Sequence, residues 1–204
     1  MGSAVGAGFI PPASVPGVSF RDAFEAKRRR GLAGGPLRLS FERRDWQAES
    51  EDGAPLDGRG FVLRDGERSL AWTSPRLEEA GVEVMKVAGT SYRLDDLQDP
   101  GFAPGSTLLL RPEPHNPHDP NAVGLWNAEG SAQAGFVPRA RAEALSRRLA
   151  SEQLEAFTLW EWRDSDGRRC GLRILVAPAG ALVERPRPLA GRKPRPDEPP
   201  LGSP

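Results

Sequence analysis

The chain's only two histidines, His115 and His118, lie three residues apart, and Asp119 follows the second. Two imidazoles and a carboxylate are acceptable zinc ligands, and three such ligands plus a water would make a hydrolytic centre. That reading implies a zinc-dependent hydrolase acting on phosphorus-containing bonds. The residues between and around them argue against convergence. The stretch "LLLRPEPHNPHDPNAVGLW" (108–126) holds four prolines, and those at 114, 117 and 120 bracket the three candidate ligands. Each proline fixes its own φ and pushes the preceding residue toward extended backbone. No H-E-x-x-H helix or C-x-x-C pair accompanies them. The same stiffness suits a different chemistry. A pre-organised loop loses less entropy on binding, and Asn116 and Asn121 can close its turns onto the backbone. His118 can stack on a base, or donate to a phosphate when protonated. Asp119 repels phosphate but can accept from a base amino group or a terminal sugar hydroxyl, so it suits recognition of an end or a base edge. Asp119 has a second reading, as the cap of its own turn, and Asn121 is read as structural.

The elements that must hold this loop are short strands. "VEVMKVAG" (82–89), "STLLLR" (106–111), "NAVGLWN" (121–127) and "SAQAGFV" (131–137) have strand character, with a turn at Glu129-Gly130. "EAFTLWEWRD" and "RRCGLRILVAP" form a hairpin around "SDG". "PRARAEALSRRLA" (138–150) is the main helix, with Pro138 in its first turn. So many short strands with short loops favour a small closed or partly closed β-barrel, because closure removes exposed edges. Upstream, "SFRDAFEAKRRR" (19–30) reads as a short helix, "LRLSF" (37–41) as a strand, and "GFVLRDGERSLAW" as a hairpin turning at Asp65-Gly66. The expected organisation is a disordered tail over 1–18, an accessory α+β segment over 19–81, the β-barrel over 82–180, and a disordered Pro/Arg-rich tail over 181–204.

Residues 84–176 resemble a HIRAN domain. The resemblance rests on the order of "VAGTSY" after a strand, then "PGSTLLLRPEPHNPHDPNAV" with its R-x-x-x-x-N-P-x-D-x-N-A pattern, then "GFVPRARAEALSRRL" leading into the helix. It implies a modified OB-like barrel that binds nucleic acid, gripping the 3′ end of single-stranded DNA, and with that a place in DNA repair. It also implies that Tyr92, His118, Asp119 and Phe136 contact the terminal nucleotides. Ser91 stands where a family member can carry arginine, and His118 where tyrosine is common. Losing one stacking ring costs about 1–3 kcal/mol. Phe136 also fits a core position of its strand.

Composition narrows the remaining choices. Lys+Arg and Asp+Glu are both 28, so no global field drives the chain onto a polyanion, and any such site is a local patch. On the helix, Ala142, Leu145 and Leu149 share the packing face, with Arg141 and Arg148 along one border and Arg139 and Arg147 on the other. With Arg111 and Lys86 these would line a nucleic-acid groove, or else form an ordinary solvated face. Five basic residues lie between 185 and 195 with no acid among them, a salt-dependent electrostatic arm. Trp160 and Trp162 are read as core, with a stacking platform as the alternative. Cys170 is the sole cysteine, so an internal disulfide and a cysteine zinc cluster are both excluded. No G-x-x-x-x-G-K-[ST] loop supplies an ATPase. The N-terminus lacks the pattern of a signal peptide and no apolar run approaches the ~20 residues of a membrane span, so a cytoplasmic protein is expected. The expected function is a non-enzymatic module for single-stranded DNA or other nucleic acid, working beside a helicase or nuclease in trans, with no cofactor and no membrane partner. The alternatives are a protein-interaction or structural module of the same fold, and the zinc hydrolase.

Overall fold

The computed structural model describes residues 37–49 and 55–189. The expected helix over 19–30 and the segments 1–18 and 190–204 lie outside them. The described chain is mainly antiparallel β. Nine strands form one sheet: β1 (Leu39–Glu49), β2 (Pro55–Asp65), β3 (Arg68–Leu70), β4 (Glu83–Lys86), β5 (Thr107–Pro112), β6 (Val123–Asn127), β7 (Gln133–Phe136), β8 (Leu154–Arg163) and β9 (Arg169–Pro178). Two α-helices accompany it, the short α1 (Pro75–Glu79) and the main α2 (Arg139–Ser151), and three 3-10 turns fill Thr90–Phe102.

The order β1-β2-β8-β5-β6-β7 runs across the sheet, while β9 pairs with β8 and β4 pairs with β9. Among the described residues no continuous ladder closes this sheet into a barrel. Beyond β4, Ala88 makes an isolated bridge to Phe136 of β7, with Ala88 N donating to Phe136 O at 2.8 Å and Phe136 N to Ala88 O at 2.9 Å. The sheet is mainly antiparallel, and its seam at this bridge is one residue pair wide.

Successive side chains of a strand face opposite ways, and β9 shows the consequence. Leu172, Ile174 and Val176 enter one apolar cluster, with Leu108, Leu125, Phe102 and Leu145. Leu175 and Ala177 enter a second, with Leu39, Leu63, Leu77 and Phe157. Burial on both faces is why this strand reads as a near-continuous apolar run. The second cluster lies under β1–β3 and α1, so these elements cover part of the sheet's outer face. β1–β3 are continuous with the sheet through the register of β2 against β8, Gly60↔Trp160 to Asp57↔Arg163.

Two expectations meet different outcomes. The helix face of Ala142 and Leu145 is buried as its periodicity requires, yet the expected tail over 181–204 begins with packed chain. Leu182 is buried against the second cluster, Arg185 pairs with Glu155, and Leu189 N donates to Pro104 O at 2.8 Å. Apolar Leu182 and Leu189 supply burial that the Pro/Arg composition masks.

Candidate nucleic-acid interface

The open outer face is set by register. Arg111 pairs with Gly124, Gly124 with Phe136, and Phe136 with Ala88. Directly opposed residues share a face, so these four make one row, about 14 Å long at the usual strand spacing. Phe136 is half-exposed and Ala88 and Arg111 are exposed. The core reading of Phe136 is therefore corrected: Ala134 and Val137 face inward, while Phe136 faces out. In the adjoining row Trp126 carries the Arg111 guanidinium 5.1 Å from its ring centroid.

At one end of the row, Gly89 takes φ +74° and turns the chain into the 3-10 turn Thr90–Tyr92. A Cβ on Gly89 would stand 3.8 Å from the Phe136 ring, so the turn abuts that ring. The Thr90 hydroxyl donates to Cys170 O at 3.2 Å and Tyr92 N to Gly89 O at 3.1 Å, which fixes the turn from within. Tyr92 is 90% exposed, and Ser91 beside it is exposed as well.

The proline loop hangs between β5 and β6, next to the same row. Glu113 N donates to Ala122 O at 2.7 Å and closes its base. The Glu113 carboxylate then acts as a latch. It accepts from Gln133 Nε2 of β7 at 2.9 Å and from Asn116 Nδ2 of the loop at 3.3 Å. Gly124 leaves room for that carboxylate, where any Cβ would collide with it. Within the loop, His118 N donates to Asn116 Oδ1 at 3.0 Å, and Asn121 N donates to Asp119 Oδ1 at 2.9 Å. Asp119 is thus a turn cap through one oxygen, and its other oxygen accepts nothing from the described residues. His115 and His118 are exposed. Among the described residues no three His, Cys, Asp or Glu side chains are placed to share a metal ion.

The helix arginines divide. Arg141, in the first turn of α2, is exposed. Arg148 is not available to a ligand: it binds Glu83 at 2.6 Å, Glu152 at 2.5 Å and Gly81 O at 3.0 Å. Those carboxylates, Glu152 first, raise its pKa against the opposing effect of burial. Arg147 pairs with Glu143 at 3.4 Å. The expected groove along α2 loses Arg148 for this reason.

Composition and motif alone do not single out Glu113, and they group Trp126 with the core. Strand alternation carries a signal for the indole, since Trp126 lies two residues from Gly124 and one from buried Leu125.

Residues 81–177 match the family model of the HIRAN domain. The chain carries a HIRAN domain. Among solved structures, the chain is similar to a protein from Lactobacillus plantarum, at 20% identity and a TM-score of 0.37, over 47% of this chain and 91% of that one. It is also similar to the HIRAN domain of human HLTF, at 19% identity and a TM-score of 0.33, over 49% of this chain and 78% of that one. No curated protein matches the chain. Among the described residues no helix is long and apolar enough to cross a membrane.

Proposed function

We propose that this HIRAN domain binds nucleic acid and recognises single-stranded DNA at or near its 3′ end. The observation that carries the reading is Tyr92, 90% exposed on a turn pinned by Thr90 and set beside the half-exposed ring of Phe136. Two rings held outward by a rigid backbone offer a stacking surface, and base–aromatic stacking is tolerant of sequence. Ser91 sits beside the first ring. In this reading His118 and Asp119 would approach the strand from the proline loop, with the second Asp119 oxygen free to accept from a terminal hydroxyl. The exposed Arg111 and Arg141 would supply phosphate contacts. In this reading the domain is a binding module, and a helicase or nuclease partner in trans would act on the strand it holds.

Labelled single strands that differ only at the 3′ terminus (hydroxyl, phosphate, blocked) test this by anisotropy titration across a salt series. Wild-type protein should prefer the free hydroxyl. Asp119→Ala should abolish that preference while costing about 1 kcal/mol in stability for the lost turn hydrogen bond. Equal affinity for the three ends would remove end recognition and leave only general binding. Absence of binding at low salt would remove the nucleic-acid reading altogether.

A further inference from the structure

The outer face continues past Ala88 in the other direction, onto β4 and β9. Lys86 precedes Ala88 by two residues, so it shares that face, and it pairs directly with Arg173 of β9. Like charges directly opposite on neighbouring strands, with Cβ atoms about 5 Å apart, are destabilising. Neither cation has a carboxylate partner among the described residues. Lys86 is exposed. The Arg173 guanidinium lies 3.9 Å from the ring centroid of Trp72 and 5.6 Å from that of Trp162. Burial alone lowers the Arg173 pKa, with no compensating anion. Elsewhere the protein does pair its half-buried arginines, as Arg148 with Glu83 and Arg76 with Asp65 show.

The floor between this pair and the Tyr92 turn is flat. Val87 N donates to Leu172 O at 2.9 Å, which carries the β4–β9 register forward and sets Ala88 beside Gly171. Gly171 pairs with Trp162, whose ring would be 3.5 Å from any Cβ there. Trp160 is 5% exposed and belongs to the interior, whereas Trp162 is half-exposed at the edge of this floor. Two uncompensated cations, an accessible indole and small residues between them and an exposed tyrosine form a surface complementary to a phosphodiester chain.

We propose that Lys86 and Arg173 form a phosphate clamp for the strand leaving the Tyr92–Phe136 site, with Trp162 as the adjoining stacking surface. The proposal rests on the nucleic-acid reading above and adds a direction: the strand runs from β7 across Ala88 toward β9. The phosphate neutralises the opposed pair, and the indole takes a base one step back from the end.

The test uses the full chain and an oligothymidylate long enough to cross this face, with a free 3′ hydroxyl, titrated over a salt series. In Lys86→Gln and in Arg173→Gln the slope of log K against log salt should fall by about 0.7, one phosphate fewer being neutralised. Affinity should drop with it, and preference for the free hydroxyl should persist. Lys86→Arg should restore slope and affinity. Arg173 packs on Trp72, so if Arg173→Gln lowers the melting temperature, Lys86→Gln alone decides. Wild-type binding with end preference, but unchanged slope and affinity in Lys86→Gln, overturns the clamp and spares the terminal site. Failure of the wild type to bind any strand overturns the terminal site and the clamp with it.

Discussion

Tyr92 exposes its ring on a backbone that is anything but loose, because Thr90 ties the turn to Cys170 O and Gly89 seats it against Phe136. A large side chain in that position contributes nothing to the core, so its removal separates binding from stability. Tyr92→Ala should leave the melting curve within about 0.5 kcal/mol of wild type. It should weaken single-strand binding by about 1–3 kcal/mol, read by anisotropy at fixed salt. A fall in melting temperature with unchanged binding would make the ring structural. At this scale the sequence is informative about residue type and silent about residue state. The Asn116-Pro-His-Asp-Pro-Asn121 pattern foretells turn closure by side-chain amides and carboxylates, and the hydrogen bonds of Asn116 and Asp119 follow it. Nothing local foretells that Arg148 is consumed by Glu83, 65 residues away in the chain.

Among the elements, β7 matters most, because it joins the two halves of the stacking surface. Its bulge against β6, between Leu125 and Trp126, coincides with Gly135 at φ +143°. A side chain there would be strained by that φ and would collide with the Ala88 carbonyl that holds the bridge. Gly135→Ala should therefore cost more than about 1 kcal/mol in denaturant unfolding. It should also reduce strand binding beyond what stability explains, because the Tyr92 turn is then no longer seated on Phe136. Retained binding in a folded Gly135→Ala protein would show that the bridge does not organise the site. The strands themselves are legible: apolar runs mark β8 and β9, turn glycines such as Gly66, Gly130 and Gly167 punctuate the hairpins, and α2 declares its buried face by spacing. What spacing does not contain is register. The row from Arg111 to Ala88 exists only because four segments align at particular residues, and a one-residue slip would send each side chain to the opposite face. The far half of β1 and the first half of β2 escape a sequence reading for a related reason. "ERRDWQ" is polar, largely exposed and held by pairing, whereas "LDGRG" is polar and glycine-rich although Gly58, Arg59 and Gly60 are buried against β8.

For the whole molecule, the informative group is Glu161, which has no exposed surface and lies among Arg59, Arg163 and Arg169. Arg59 comes from β2, outside residues 81–177, while the other three lie inside, so this cluster bonds the N-terminal hairpin to the HIRAN segment. Arg169 also donates to Asp99 O at 3.0 Å and reaches Leu97 O, which brings the 3-10 turns into the same network. Burial pushes the Glu161 pKa up, but Arg169 and Arg163 outweigh it and hold the carboxyl below the ordinary value of 4.5. A carboxyl with a depressed folded pKa contributes stability that is complete above its unfolded pKa and is lost as pH falls through the folded one. Melting temperature should accordingly hold its value above about pH 5 and decline as the solution becomes more acid than an ordinary glutamate. Glu161→Gln should flatten that decline and cost about 3–5 kcal/mol near neutral pH, because it strands buried guanidinium groups. An unchanged acid limb in the variant would assign the decline to other carboxylates. The one-pair seam between Ala88 and Phe136 has a mechanical consequence of its own. Among the described residues the backbone pairing between the β4 segment and β7 is two hydrogen bonds, so the ladder is thinnest through the middle of the stacking surface while Val87, Ala134 and Val137 pack together beneath it. A strand stretched from Phe136 to Lys86 would lie across that line as a suture, adding its own contacts where the backbone ladder has fewest.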